Sequence, residues 1–215
     1  MTREQQKEVK EANKELPKLI RNLKKDNNFN YANGFLYRFE MDYVYYAIIS
    51  IPTTKALNNL SVSFFVKPWV LNETYWKVLE MDLDEMISQP KSFHVRGAFT
   101  IADIIYETWS YPIITGEHLS DAVNKTMKEI DYRINELTKK FKDINSIFIY
   151  NEQYNIPKLA QVIAYIFEED YAKAIELIAE SNTYEDSGTY IHTVSHGKDA
   201  FQYAKCYCEK MLDSL

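Results

Sequence analysis

The stretch from Gly34 to Lys67, GFLYRFEMDYVYYAIISIPTTKALNNLSVSFFVK, constrains the fold more than any other part of the chain. Three runs rich in aromatic and β-branched residues are separated by turn-like breaks, the pattern of an antiparallel meander. The spacing predicts strands over Phe35–Phe39, Tyr43–Ile51 and Leu60–Lys67, with Asp42 near the first turn. Pro52 ends the second run, because proline cannot donate to a sheet ladder. That run is apolar on both faces and is expected in the middle of the sheet. In the third, Leu60, Val62, Phe64 and Val66 share one face, while Ser61, Ser63, Phe65 and Lys67 share the other. One sheet face should therefore be covered and the other partly wet, with Tyr37, Arg38 and Lys67 on or near exposed positions.

Helical periodicity brackets this meander. Val9, Ala12, Leu16, Ile20 and Leu23 follow three-to-four spacing and predict a helix over Thr2–Lys25. Pro17 either kinks it or opens a second helix. Asp26 to Asn28 and Asn30 read as a helix stop and turn. After Pro68, a short helix is predicted over Glu73–Leu79, and residues 81–90 read as loop or weak helix. Phe93–Arg96 alternates and predicts a further strand, with His94 and Arg96 on one face and Phe93 and Val95 on the other. Gly97–Tyr111 suits strand or helix, with Trp109 and Pro112 indicating an extended end.

From Leu119 the apolar residues Val123, Met127, Ile130, Ile134, Leu137, Phe141 and Ile144 recur at alternating steps of four and three, predicting one long amphipathic helix over Leu119–Ile144. Asn145–Asn155 reads as a connection. Pro157 fits the first position of a helix whose face is Leu159, Val162, Ile163, Ile166 and Phe167. A second helix, Tyr171–Ala179, follows it. The segment FEEDYAKAIELIAES resembles the turn and second helix of a tetratricopeptide-type hairpin. No second copy recurs at the period of about 34 residues that such arrays require, so a single hairpin is expected. Ser181–His196 reads as loop, and Lys198–Leu212 as a last helix with Phe201, Ala204, Cys208 and Met211 in register.

Composition narrows the function. The 215 residues suffice for one large domain or two small ones with a real core. A net charge of −6 argues against nucleic acid as the partner. Five glycines leave little room for phosphate-cradling loops, and seventeen tyrosines fit either an aromatic core or an interaction surface. Cys206 and Cys208 stand two apart in a helical pattern, which disfavours a disulfide and reads as reduced thiols of a cytosolic protein. The polar, charged Met1–Lys25 does not read as a signal peptide, and no run is apolar enough to span a membrane. Three glycosylation sequons, at Asn59, Asn72 and Asn124, carry no weight without secretion.

Catalytic signatures are sparse. His192 and His196 stand four apart, a spacing that suits one metal on a helix. Their neighbours Thr193, Val194, Ser195 and Gly197 favour an extended segment instead, where the two would lie about 13 Å apart. Walker, dinucleotide-binding and nucleophile-elbow motifs are missing from the sequence. No cofactor or metal is expected. The residue types that dominate binding hot spots do gather around the meander: Tyr37, Arg38, Tyr43, Tyr45, Trp69, Trp76, His94 and Arg96. The competing reading is that they pack the sheet edge and cover helix ends.

The segment LPKLIRNLKKDNNFNYANGFLYRFEMDYVYY resembles a family of bacterial domains of unknown function. These open with a helix of the type L-x-x-L-x-x-x-G-F, continue with a strand of the type G-x-x-F-Y-R and proceed into a meander. The matching positions are Leu16, Leu19, Leu23, Phe29, Gly34, Tyr37 and Arg38; Asn28 and Ile51-Pro52 depart from the pattern. The resemblance covers the first third of the chain, implies the same order of elements and supplies no catalytic residue.

An α+β fold is thus expected: an N-terminal helix on an antiparallel sheet of four to five strands within residues 1–112, and a helical half over 113–215 containing the hairpin. The two parts form either separate domains or one shared core. The leading functional expectation is a non-catalytic cytoplasmic protein, immunity-like or accessory, that binds another protein and neither nucleic acid nor membrane. The alternative is an enzyme or small-ligand binder with a pocket between sheet and helices, using Arg38, His94, Arg96 or the His192–His196 loop. The candidate interaction or pocket residues are Tyr37, Arg38, Tyr45, Trp69, His94, Arg96, His192 and His196.

Overall fold

The computed structural model describes residues 2–52, 59–112, 118–181 and 198–214. In chain order its first elements are α1 (Arg3–Leu23), β1 (Asn30–Ala32), β2 (Phe35–Glu40), β3 (Tyr43–Ser50) and β4 (Asn59–Lys67). Then come α2 (Leu71–Val78), α3 (Leu83–Ile87), α4 (Lys91–Arg96), β5 (Ile105–Pro112) and α5 (His118–Thr138). The remainder is helical: α6 (Ser146–Ile149), α7 (Asn151–Tyr154), α8 (Lys158–Phe167), α9 (Tyr171–Ala179) and α10 (Ala200–Leu212). The five strands form one antiparallel sheet in the order β1-β2-β3-β4-β5, so the fold is α+β and β3 is its central strand. The chain divides into two compact units. The first comprises Met1–Glu40, Tyr45–Phe65 and Tyr106–Lys140; the second comprises Met41–Val44, Val66–Ile105 and Phe141–Leu215.

In the first unit, α1 runs unbroken through Pro17 and buries Val9, Leu16 and Ile20. Pro17 has no N–H to give to Asn13. The Asn13 side chain bridges this stretch, its Nδ2 donating to the Val9 carbonyl at 3.0 Å and the Ile51 carbonyl at 3.3 Å. That second bond ties the helix to the end of the β3 segment. Helix α1 packs on α5, which buries Leu119, Val123, Met127, Ile130, Ile134 and Leu137. Strand β4 buries Leu60, Val62 and Phe64 and leaves Ser61, Ser63 and Phe65 partly exposed, as its alternation predicts.

The helix stop and turn expected after α1 fall at residues 24–28, but Asn30, expected in that turn, opens strand β1. It pairs with β2 in the register Asn30↔Tyr37, Tyr31↔Leu36 and Ala32↔Phe35. Asn33 (φ 50°) and Gly34 (φ 85°) form the two-residue connection. Both central residues at positive φ define the hairpin turn that asparagine-glycine pairs favour.

The second unit is mostly helical. Helix α8 buries Leu159, Ala160, Gln161, Val162, Ile163, Ala164 and Ile166, so its apolar stripe reaches most of the way around. The expected face residue Phe167 is instead 42% exposed, because it stands at the last turn before the hairpin bend. Helices α9, α2 and α10 pack on α8, and α10 also packs on α9. The α8–α9 bend is built from Glu168, Glu169 and Asp170. The Asp170 N–H donates to the Tyr165 carbonyl at 2.8 Å and the Glu169 N–H to the Ile166 carbonyl at 3.1 Å, a Schellman stop. Asp170 then caps α9 by accepting from the Lys173 N–H. Pro157 is the N-cap of α8 rather than its first residue, with extended ψ of 131°.

Two further expectations are corrected. Phe93–Arg96 belongs to helix α4, started behind Pro90 and closed by the Gly97 N–H on the Phe93 carbonyl. Four alternating residues do not separate a period of two from one of 3.6. The long helix predicted to Ile144 stops at Thr138, where the Lys140 N–H turns back to the Leu137 carbonyl. Phe141 and Ile144 remain buried for another reason. The Phe141 ring sits against Tyr43 at 5.3 Å, Tyr150 at 5.4 Å and Tyr154 at 5.5 Å. The Tyr43 hydroxyl donates to the Asp143 carbonyl at 2.7 Å. The apolar run Ile147–Tyr150 falls on the one-turn helix α6 and on Tyr150, the residue between α6 and α7.

Two backbone sites set opposite expectations for stability. Gly34→Ala places a side chain at φ +85° with open space around it, so the backbone penalty alone should lower stability by about 1 kcal/mol. Glu169 holds φ +60° without being glycine, so Glu169→Gly should raise stability by about 1 kcal/mol. Urea midpoints of the two variants check both signs.

Candidate functional site

Arg38 and Lys67, expected at or near exposed positions, are both buried, at 8% and 5% exposure. Each has become the charged centre of its own unit. In the first unit, Arg38 lies on the same face of β2 as Leu36 and donates from Nη1 to Asp131 Oδ1 of α5 at 2.6 Å. Its Nε stands 3.0 Å from Glu40 Oε1 without good hydrogen-bond alignment. The guanidinium also lies 5.3 Å from the Phe29 ring centre, a cation–π distance. Tyr45 is fully buried, and its hydroxyl has no hydrogen-bond partner among the described residues. Burial pushes the Tyr45 phenol far up, Glu40 adds to the shift and Arg38 opposes it. Tyr37 is also buried, a correction of the expected exposure, and its ring contacts Phe35 and Phe39.

In the second unit, Trp69, Trp76 and His94 form one aromatic group. The His94 ring meets Trp76 edge-on at 5.4 Å and Trp69 at 6.5 Å. Burial lowers the His94 pKa against an opposing bond to the Gln89 backbone, which keeps the imidazole neutral at pH 7. Both indoles are anchored, Trp69 Nε1 donating to the Met41 carbonyl at 3.0 Å and Trp76 Nε1 to the Phe99 carbonyl at 2.8 Å. The Asn72 amide donates to the His94 carbonyl and accepts from the Ile101 N–H.

Lys67 completes this arrangement. Its Nζ donates to Thr100 Oγ1 at 2.9 Å, Thr100 Oγ1 donates to the Gly97 carbonyl at 2.9 Å, and Asp103 Oδ1 stands 3.9 Å from the ammonium. Burial pushes the Lys67 pKa down to about 8, Asp103 opposes the shift and Arg96 adds to it. The residues Asn72, Trp76 and Lys67 thus fasten segment 97–104, which has no regular secondary structure. His94 and Arg96 do not share a strand face. On helix α4 they diverge, His94 to the indoles and Arg96 into the field of Lys67.

A third feature escaped residue-by-residue reading because it runs across strands. The rings of Phe35, Tyr46, Phe65 and Tyr106 line up over β2, β3, β4 and β5, with successive centroids 6.0, 4.6 and 5.0 Å apart. Tyr46 and Phe65 stack with only 8° between their planes. The ladder passes from buried Phe35 and Tyr46 to part-exposed Phe65 and ends on Tyr106, which is 63% exposed. On the same face, by strand alternation, lie Ser61 and Ser63, part-exposed, and Ser50, Thr108 and Ser110, exposed. Up to Phe65 in β4, this face of β2–β5 carries no charged side chain. The ladder's signal in the sequence was the in-register recurrence of aromatics on the odd positions of β2 and β4 and the even positions of β3 and β5.

His192 and His196 lie outside the described residues. Among the described residues no group of three or more His, Cys, Asp or Glu is placed to hold a metal ion, and no helix is long and apolar enough to cross a membrane. On α10 the two thiols differ: Cys206 is exposed and 3.7 Å from Lys198 Nζ, while Cys208 is buried with its pKa pushed up to about 11 by burial. No family model matches the chain, and neither a curated protein nor a solved structure is significantly similar to it.

Lys67 gives a pH signature. Its pKa falls from 10.5 to about 8 on folding, so between those values the unfolded chain holds a proton that the folded one lacks, and stability rises with pH. The rise should total about 3 kcal/mol at most. From about pH 9 the buried Cys208 thiol, which folding raises from 9.0 to about 11, opposes this rise, and above about pH 10 the buried phenols of Tyr45 and Tyr75, whose pKa values folding also raises, reverse the trend. Urea unfolding from pH 7.5 to 9 should show this slope, and Lys67→Met should flatten it. An unchanged slope in the variant would assign the effect elsewhere.

Proposed function

We propose that this chain is a non-catalytic, cytoplasmic protein-binding protein that docks its partner on the exposed β4–β5 end of the aromatic sheet face in the first unit. The observation that carries this reading is the ladder ending on exposed Tyr106 among serine and threonine hydroxyls. Tyrosine offers large rigid contact area at low entropic cost, and serine offers adaptable hydrogen bonding, the combination that antibody paratopes use against protein surfaces. An uncharged face also avoids the desolvation cost that charged side chains impose at the centre of an interface.

The charged candidates support the non-catalytic part. Arg38 and Lys67 spend their polar atoms on internal partners, and both are too buried to meet a substrate without rearrangement. The accessory or immunity-like role is inferred from the sparse catalytic signatures together with the aromatic excess and the net charge of −6. The partner class is another protein.

The test uses positions on the face but away from the sheet edge. Ser61→Arg and Ser63→Arg should preserve the circular dichroism spectrum and weaken binding to the partner purified from native cells by at least about tenfold, read by titration calorimetry. Lys158→Ala, on α8, should bind as the parent does. Parent-like affinity in both arginine variants would remove this face from the binding surface, and turnover by the purified protein on a hydrolase or transferase substrate panel would remove the non-catalytic reading.

A further inference from the structure

The two edges of the sheet are unlike. Strand β1, at one edge, is three residues long; β5, at the other, is eight residues long and has β4 as its strand neighbour among the described residues. A long edge presents a row of backbone donors and acceptors ready to pair with another chain. Proteins blunt such edges with lysines, prolines, bulges or brevity. Strand β5 contains no lysine, and its proline, Pro112, stands at the last position. Its one charged side chain, Glu107, faces Arg133 of α5 at 3.8 Å. Tyr106, Thr108 and Ser110 project exposed from the opposite face.

We infer that β5 pairs with β5 of a second copy of this chain, antiparallel, about a two-fold axis through Thr108. The side chains select both the occupant and the register. With the axis at Thr108, Tyr106 stands opposite the other copy's Ser110, the two Thr108 residues face each other, and Glu107 stands opposite Trp109. Threonine pairs and aromatic pairings favour antiparallel neighbours, whereas like charges directly opposite are unfavourable. An axis at Glu107 would set two carboxylates face to face. An axis at Trp109 would bring Pro112 into the ladder, where its missing N–H costs a bond. An axis at Ser110 or Tyr106 would shorten the overlap. The Thr108 register alone pairs residues 105–111 with no like-charge contact and no proline, and it carries the Phe35–Tyr46–Phe65–Tyr106 face into a second copy of itself. This pairing is independent of the protein partner proposed above, because it uses the strand edge rather than the face.

Sedimentation equilibrium of the full chain should show a monomer–dimer equilibrium. Thr108→Lys sets two ammonium groups against each other at the axis and should weaken the dimer by at least about tenfold with an unchanged circular dichroism spectrum. In a Cys206→Ser background, Thr108→Cys should oxidise to a covalent dimer. Ser110→Cys alone should not, but a mixture of Ser110→Cys and Tyr106→Cys chains should cross-link to each other. A monomer at all concentrations, or a dimer indifferent to Thr108→Lys, overturns the pairing. A covalent dimer from Ser110→Cys alone overturns the register.

Discussion

The guanidinium of Arg38 sits under α5, and an acid 93 residues further along the chain answers its charge. A buried cation of this kind is expensive to leave alone: removing one partner of such a pair costs about 3–5 kcal/mol. Here the side chains of Asp131 and Glu40 are 40% and 38% exposed while that of Arg38 is 9% exposed, so the carboxylates keep part of their hydration and the desolvation falls mainly on the cation. The pairing fixes which face of the sheet α5 covers. It therefore also fixes which face is left to Phe65, Tyr106 and their hydroxylated neighbours, and that is the face on which a partner is proposed to dock.

The second unit handles its irregular backbone differently. Segment 97–104 is held by side chains rather than by a ladder, with the Asn72 amide, the Trp76 indole and the Lys67 ammonium each taking one backbone or hydroxyl partner. The amide and the ammonium carry several donors or acceptors and the indole a single donor, all on well-packed elements, so side chains satisfy what regular secondary structure would satisfy elsewhere. The α8–α9 bend shows the same economy: Asp170 closes one helix with its N–H and caps the next with its carboxylate. The penalty is local strain at Glu169, which must adopt the left-handed conformation.

Elements with long, clean periodicity were legible in the sequence. Strand β3, α1, α9 and α10 were recognisable because many residues vote on one period, and the central place of β3 followed from its two apolar faces. Short elements were not: four residues of α4 fit either period, and β1 is three residues long. Its asparagine-glycine turn at Asn33-Gly34 was the available signal. The seam to Ile144 misled because Phe141 and Ile144 are held by an aromatic cluster and a turn after the helix has ended. Of the candidate site residues, alternation separated the faces of β4, but it could not show that Lys67 at the strand's end is taken up by Thr100 and Asp103 or that Arg38 on β2 meets Asp131, so both were misplaced outside. The aromatic ladder depends on cross-strand register, which no single run of sequence contains.

The two thiols of α10 make the protein chemically simpler than its composition indicates. Cys206 is open to solvent, while Cys208 is buried and its thiol is held protonated well above neutrality. Because thiolate rather than thiol is the nucleophile, a maleimide or iodoacetamide at neutral pH distinguishes two cysteines that are only two positions apart. The native chain therefore carries a single addressable attachment point on its last helix, and a fluorophore or spin label can be placed there without removing either cysteine.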